Sequence, residues 1–310
     1  MYIFIVNPIA GDGKAKRIFR RIQGLEEYQN IETEHYITQY PGHAIEIIKQ
    51  IEMEFEEGKA IQAVIVIGGD GTMHEVINGL TNKEIPMGYI PGGSGNDFAR
   101  GAEISTDYVK VLNDVIHNST QKFYWLGSFA GENGATNNFV NCIGFGFDAV
   151  VAKGANSVPF RKVFNKLGLG TLIYLVSLIR GLISYKPLEL TLELDGVKHI
   201  YEEAFLITIN NNSYLGGGMK INPLAKNNGE HLSVLVIESI SKWKVLGLFL
   251  TVFTGGHLKF KETSTFDAKQ IEIYANSPLP YQADGEYGET SYAKMTNNPE
   301  PMRLKGATGR

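Results

Sequence analysis

The chain is poor in cysteine, in net positive charge and in long charge-free apolar runs. Its single thiol, Cys142, excludes a disulfide framework and fits a reducing cytosol. A small buried apolar residue is expected there, not a nucleophile. Net charge is −4, so no global basic field draws the chain to nucleic acid. The seven histidines lack metal-ligand spacing, which argues against a zinc site. There is no internal repeat, no low-complexity segment, no Gly-x-Ser-x-Gly elbow and no evident Ser/His/Asp set. The longest apolar stretch, 167–184, is broken by Gly168, Gly170, Arg180 and Gly181, whereas a spanning helix needs about 20 apolar residues. It reads as a core or interfacial helix. Arg161, Lys162 and Lys166 precede it, as a solvated end or as contacts to anionic lipid heads. The opening run Met1 to Val6 has no charged segment and enters Asn7-Pro8 directly; it reads as a first strand, not a signal peptide.

What is present suits two domains: 310 residues, 43% hydrophobic and 20% charged, a globular balance. Up to residue 122, apolar runs at 2–6, 33–38, 63–67 and 87–90 alternate with stretches of helical spacing, among them 43–57, with Ile47, Ile48, Ile51 and Phe55 on one face. Such alternation predicts a Rossmann-like parallel α/β domain with right-handed crossovers. From 123 to 294 the pattern changes to short β-branched and aromatic runs, at 139–142, 188–194, 204–210, 232–237, 270–274 and 279–283. Asp195-Gly196 marks a hairpin turn. This half is expected to be an antiparallel β-sandwich with helical insertions near 160–184 and 241–254. The polar tail, 295–310, is expected to pack back on the first domain.

Two glycine-rich loops carry the chemistry. Gly68-Gly69-Asp70-Gly71-Thr72 follows the run 63–67, and Pro91-Gly92-Gly93-Ser94-Gly95-Asn96-Asp97 follows 85–90. Glycines let a backbone approach phosphate oxygens, and a helix N-terminus adds positive partial charge. Nucleotides bind at the carboxyl ends of parallel strands, where both loops and a third, Asn7 to Gly13, fall. Asp70 suits either a helix cap or Mg²⁺ held through water; Asp97 and Asn7 at neighbouring strand ends favour the metal role. Thr72 and Ser94 offer hydroxyls to phosphate or to capping. Lys14, Lys16, Arg17, Arg20 and Arg21 form a solvated basic face that also raises local ATP concentration. His74 serves packing or capping as readily as catalysis. Asp284-Gly285-Glu286 follows an apolar run. By spacing alone it is an ordinary turn with a solvated Glu, although Glu286 has the chemistry of a general base.

Asn7-Pro8 with Gly11, the Gly68 to Thr72 motif, Gly92 to Asp97 and Asp284-Gly285-Glu286 together resemble the bacterial soluble diacylglycerol kinase and lipid kinase family. That family is related to sphingosine and ceramide kinases and more distantly to NAD kinases. The likeness spans essentially the whole chain. The Gly-Gly-Asp-Gly-Thr motif is shared with NAD kinases; Gly95-Asn96-Asp97-Phe98 is far more specific. The resemblance implies a two-domain fold with ATP in its cleft. It implies ATP contacts at Asn7, Pro8, Ile9, Ala10, Gly11, Thr38, Gly69, Asp70, Gly71, Thr72, Met73, His74, Glu75 and Ser94, to which the loops add Gly68, Gly93 and Asn96. It implies Mg²⁺ organised through water by Asp70 and Asp97, and Glu286 as general base, against the reading from spacing. The expected reaction moves the γ-phosphate of ATP to a lipid hydroxyl, foremost diacylglycerol to give phosphatidic acid. The expected setting is the cytoplasm, with peripheral contact to a membrane surface, room for a homodimer and no nucleic acid.

Three departures qualify this. Many members carry an Asp two residues before a glycine at the domain junction, where Trp125 precedes Gly127 here. Members with a structural metal show an Asp-Asp-Gly cluster where this chain has Asn227-Asn228-Gly229 within 225–232, so amides replace carboxylates. His74 stands where Asn is usual. Two other readings stay open: an NAD kinase-like enzyme, and a nucleotide-binding regulator with a degraded metal site.

Overall fold

A computed structural model describes residues 1–118, 120–156 and 181–307. It divides into two compact units, Met1–Leu126 with Asn298–Arg310, and Gly127–Asn297. Arg161, Lys162, Lys166 and the expected helix up to residue 180 lie outside the described residues. Among the described residues no helix is long and apolar enough to cross a membrane.

The first unit is built on strands β1 (Tyr2–Val6), β2 (Thr33–Ile37), β3 (Ala63–Gly68), β4 (Met87–Pro91) and β5 (Lys122–Tyr124). Its helices are α1 (Ala10–Ile22), α2 (Glu26–Gln29), α3 (His43–Glu56), α4 (Asp70–Gly79), α5 (Asp97–Gly101) and α6 (Tyr108–His117). The central strands β1 and β3 are continuous apolar runs. Ile3, Phe4, Ile5 and every residue from Ala63 to Ile67 are fully buried, as expected of parallel strands covered on both faces. β1 pairs in parallel with β2 and β3, and β3 with β4, in level register: Val6 faces both Ile37 and Ile67, and Gly68 faces Pro91. The ladder runs one residue past the strands, through Asn7 N–H to the Ile67 carbonyl, Thr38 N–H to Val6, and Gly92 N–H to Gly68. Three loops therefore leave the sheet at one edge and one height.

The second unit is antiparallel throughout. It contains β6 (Gly127–Gly131), β7 (Thr136–Phe139), β8 (Cys142–Gly146), helix α7 (Phe147–Asn156), β9 (Leu188–Leu194), β10 (Val197–Asn210), β11 (Leu232–Glu238), helix α8 (Lys242–Thr251), β12 (Thr263–Ala268), β13 (Gln270–Ala283) and β14 (Glu286–Asn297). The long strands β10 and β13 shift register between Tyr201 and Ala204 and between Tyr274 and Leu279. Their first halves pair with β9 and their second halves with β8. Each thus serves two layers, as bulged strands do in sandwiches, around a core that includes Phe145, Leu192, Ile207, Val234, Ile273 and Met295. A second core on the outer face stacks Phe147, Tyr185 and Phe205 at 4.7–5.3 Å, under Val245, Leu248 and Val252 of the α8 segment. The expected turn at Asp195-Gly196 has both residues at positive φ, 49° and 87°.

Several expectations are corrected. The run 139–142 is not one strand: β7 ends at Phe139 and β8 starts at Cys142, because the amides from Val140 to Cys142 turn toward a carboxylate (below). The runs 270–274 and 279–283 are one bulged strand, β13. The returning tail starts at Asn298, not residue 295: Met295 is fully buried in β14, whose alternation of inward and outward residues looks polar in sequence. The division of units falls after Leu126, because β5 stays in the first sheet.

The tail then enters the first unit as β15 (Met302–Lys305), between β4, to which it is parallel, and β5, to which it is antiparallel. Met302 and Leu304 are fully buried. Leu304→Ala is expected to cost about 2–5 kcal/mol through lost burial and a cavity. Chemical denaturation of the two proteins measures this, and a change within error would show that β15 is dispensable to the first unit.

Candidate functional site

The three loops of the first unit touch main chain to main chain. Gly11 has φ +57°, and a Cβ there would collide with the carbonyl oxygen of Gly92. A Cβ on Gly93 would lie 2.5 Å from Cα of Gly69. No other residue type allows this approach. Asn96, itself left-handed at φ 56°, staples its loop: Oδ1 accepts from Gly93 N–H and Nδ2 donates to the Gly93 carbonyl, each at 2.9 Å. Asn7 Nδ2 donates to Thr72 Oγ1 at 2.9 Å, tying the first loop to the second. The start of α1 is a loop in conformation, since Gly11, Asp12 and Gly13 are all left-handed and the regular helical turns begin only after them.

Asp70 opens α4 and Asp97 opens α5. Asp70 Oδ1 accepts from Phe98 N–H at 2.9 Å, which joins the two helix starts. Asp97 is buried and pairs with Arg100 Nη1 at 2.8 Å. Tyr89 lies beneath them, its hydroxyl donating to the Gly68 carbonyl at 3.1 Å. Burial first, and then the charges of Asp70 and Asp97, push its pKa well above the usual phenol value. Of the other sequence candidates, Gly71 and Ser94 are exposed, Ile9 is 80% exposed, and Pro8, Ala10, Gly68 and Thr38 line the same strand ends. Met73 turns inward and is fully buried. Glu75 Oε2 accepts from Ala44 N–H at 3.2 Å and so holds the start of α3. His74 is bonded to Asn78, whose Nδ2 donates to its carbonyl at 2.9 Å. Arg17, Arg20 and Arg21 extend from α1 beyond this loop, with Arg17 Nη1 donating to the Asp12 carbonyl at 3.1 Å.

Among the described residues no group of three His, Cys, Asp or Glu side chains is arranged for a metal ion. Two carboxylates at adjoining helix starts still fit Mg²⁺, which binds proteins through one or two carboxylates and completes its shell with water and substrate phosphate.

In the second unit, Asp284 and Gly285 form a tight turn at φ 50° and 97° that joins β13 to β14 and leaves Glu286 exposed as the first residue of β14. Asp284 is the anchor. Its carboxylate accepts from the N–H groups of Val140 and Asn141 at 2.8 Å and of Cys142 at 3.3 Å. Gly285 N–H donates to Gln282 Oε1 at 2.7 Å, and Gln282 Nε2 donates to Asp148 Oδ2 at 3.1 Å. Asp148 fits only because residue 144 is glycine; a Cβ there would overlap its carboxylate. Sequence reasoning missed Gln282 and Asp148. The available signal was the run Gly144-Phe145-Gly146-Phe147-Asp148, a carboxylate directly after a glycine-interrupted strand. The amide segment 225–232 bonds within its unit, with Asn227 Nδ2 donating to Asn211 Oδ1 at 2.8 Å.

Comparison with known proteins completes this picture. Residues 1–126 match the model of the diacylglycerol kinase catalytic domain, and residues 141–305 that of the YegS C-terminal NAD kinase beta sandwich-like domain. The protein YtlR of Bacillus subtilis strain 168, provisionally named a lipid kinase, is 34% identical over 308 residues, 98% of this chain and 99% of its own. The chain belongs to the diacylglycerol kinase family. The diacylglycerol kinase of Mycobacterium tuberculosis H37Rv is 30% identical over 246 residues, 79% of this chain and 77% of its own. The crystal structure of a diacylglycerol kinase from Bacillus anthracis str. Sterne has the same fold at a TM-score of 0.69 and 21% identity, covering 98% of this chain and 95% of that one. This kinase is accordingly a phosphotransferase with an alcohol acceptor.

Asp148 gives the kinase a built-in pH response. Burial, opposed by the hydrogen bonds from Gln282 and the Ala149 amide, raises its pKa from 3.8 to about 7. Between these values the folded chain holds a proton that the unfolded chain has released. The folded state therefore loses stability as pH rises through this window, and the loss is complete above about 7. Asp148→Asn is expected to remove that slope, so its melting temperature gains on the wild type from about pH 4 to pH 7 and then runs parallel. Parallel melting curves across the whole range would refute a buried, protonated Asp148.

Proposed function

We propose that this kinase transfers the γ-phosphate of Mg-ATP to the hydroxyl of a membrane lipid, diacylglycerol, to give phosphatidic acid and ADP. The observation that carries the reading is the glycine-to-glycine packing of the three loops. It brings three glycine-rich loops and two helix starts together at one end of the strands, an arrangement suited to polyphosphate. The loop residues Asn7 to Gly11, Gly68 to Thr72 and Gly93 to Asn96 hold the triphosphate, with Thr38, His74 and Glu75 beside them. Asp70 and Asp97 would hold Mg²⁺ through water, and the ion would supply neutralisation of the charge that grows on the transferred group. Asp70 and Asp97 are fixed for this by Phe98 N–H and by Arg100.

Glu286 acts as general base. It takes the proton of the lipid hydroxyl as that oxygen bonds to the γ-phosphorus and the bond to the bridging oxygen of ADP breaks. Its position suits the role: an exposed carboxylate on a turn whose backbone is clamped by Asp284 and Gln282. A base must be held still at a fixed point to work in this way. The lipid assignment draws on the relatives named diacylglycerol kinase. The kinase works from the cytoplasm at a membrane surface, where its acceptor lies.

Transfer of labelled γ-phosphate from Mg-ATP to diacylglycerol in mixed micelles tests the whole reading, with sphingosine, ceramide, monoacylglycerol and NAD as parallel acceptors. Labelled phosphatidic acid is the expected product. Label on NAD alone, or on no acceptor while ATP still binds, overturns it; the second result would point to Trp125. Glu286→Gln is expected to lower kcat by about 10²–10⁴-fold with ATP affinity retained, and a near-normal kcat removes Glu286 from the reaction. In Asp70→Asn the Mg²⁺ concentration needed for half-maximal rate should rise while metal-free ATP binding changes little. An unchanged Mg²⁺ profile would count against the metal role.

A further inference from the structure

The second unit carries an apolar stripe that its own core does not use. Helix α8, capped by Ser241 Oγ, buries Val245 and Leu248 and then Val252 against the sheet. On its other side Trp243 is 84% and Leu250 75% exposed, and Phe253 follows one turn later. Positions 243, 250 and 253 fall on one side of a helix. The stripe extends at both ends. Lys242 Nζ donates to the Ile183 carbonyl at 2.7 Å, which sets the 73% exposed Ile183 beside the first turn. Lys220 N–H donates to the Val252 carbonyl at 3.0 Å, and Gly255 lies against the Pro223 ring, next to the exposed Leu224.

Along α8 with its flanks and along the 219–226 loop, the charge has one sign, bounded by Glu238 and Glu262. Residues 239–261 contain Lys242, Lys244, Lys259 and Lys261 and no carboxylate, and residues 219–226 contain Lys220 and Lys226 and no carboxylate, in a chain of net charge −4. The first acid after them, Glu262, is taken by Lys244 at 2.6 Å. A monomer that displays Trp, Leu and Ile side by side pays for the exposure unless something covers them. Lysine is depleted at protein interfaces, and two copies meeting through this face would set lysines against lysines. An exposed tryptophan among leucine, isoleucine and snorkelling lysines instead matches the apolar edge and anionic heads of a bilayer.

We infer that the outer face of α8, with Ile183 and Leu224 at its ends, is the surface by which this kinase docks on an anionic lipid bilayer. The inference rests on the proposed membrane-lipid acceptor, and it centres the docking on α8, sharing only Ile183 with the stretch 160–184 singled out in the sequence.

The test uses the full chain floated with vesicles of phosphatidylcholine, alone or mixed with phosphatidylglycerol. Wild type is expected to float with the mixed vesicles and to be released by high salt. The Trp243→Glu/Leu250→Glu variant is expected to bind them at least about tenfold more weakly, to lose phosphorylation of vesicle-embedded diacylglycerol, and to keep wild-type turnover of a short-chain diacylglycerol dispersed in water. In Trp125→Phe, which leaves Trp243 as the one indole of the two in the chain, brominated phospholipid should quench the emission. Undiminished binding of the double variant, equal loss of the dispersed-substrate reaction, or emission untouched by brominated lipid overturns the inference. So does a wild-type dimer that the double variant converts to monomer with vesicle binding intact, since the face would then belong to a second copy. A wild type that phosphorylates neither substrate form defeats the acceptor reading alone, and flotation still decides the docking surface.

Discussion

The close approach of glycine backbones at one edge of the first sheet is the constraint on which the proposed nucleotide site of this kinase depends. Gly93 can meet Gly69, and Gly11 can meet Gly92, only if β1, β3 and β4 end level, and their register delivers that: Val6 beside Ile67, Gly68 beside Pro91. The level ends need strands that cannot slip, and the close packing of Ile3 to Ile5 and Ala63 to Ile67, fully buried on both faces, supplies the penalty for slipping. β15 completes the arrangement from far along the chain by taking the free edge of β4, which would otherwise be an open template beside the site. Once the loops touch, little side chain remains among them. The polar groups left there are then main-chain amides, a few hydroxyls, the half-buried carboxylate of Asp70 and the buried one of Asp97.

The second unit reaches the same end, a fixed backbone, by the opposite device. A carboxylate does there what absent side chains do in the first unit. Asp284 gathers three amides from the break between β7 and β8, and this explains both why the run 139–142 is not a strand and why the turn before Glu286 holds one shape. Hydrogen bonds from N–H groups to an ionised carboxylate are roughly twice as strong as those between neutral partners. Gln282 extends the clamp to Gly285 and is itself held by Asp148. The cost is a poorly solvated acid with a raised pKa, tolerated because Gly144 leaves room for it.

What could be read from the chain follows the range of the forces involved. The α/β alternation and the glycine loops were legible because helical period, strand runs and φ-permissive residues are local properties. The hairpin at Asp195-Gly196 was legible for the same reason. The return of the tail as β15 was expected in outline, but its starting point was not, because β14 hides a buried alternate row, Ala293 and Met295 among it, inside a polar-looking sequence. β6, reading Gly-Ser-Phe-Ala-Gly, has no strand composition and exists through its pairing with β14. The partners of Asp284 lie more than 140 residues away, so spacing alone made it an ordinary turn residue. Its neighbour Glu286 drew attention only through resemblance to a family. Asp148 and Gln282 went unseen because neither belongs to a motif and each matters through what it touches.

Helix α8 shows why burial must be read face by face. Its sequence is apolar nearly all round, and by period alone such a helix is assigned to an interior. The fold gives it one covered face, because the sheet residues Phe205, Leu235 and Ile237 offer a single layer for Val245 and Leu248. The other face keeps an indole and a leucine in the open among lysines. Simple solubility would favour a polar residue at Trp243 at no cost to the core, since the side chain is 84% exposed and contributes little to packing. An enzyme whose acceptor stays dissolved has no use for such a residue. In the proposed docking, an enzyme whose acceptor is embedded in a bilayer brings its second unit to that surface, and an apolar stripe edged with lysines is the means.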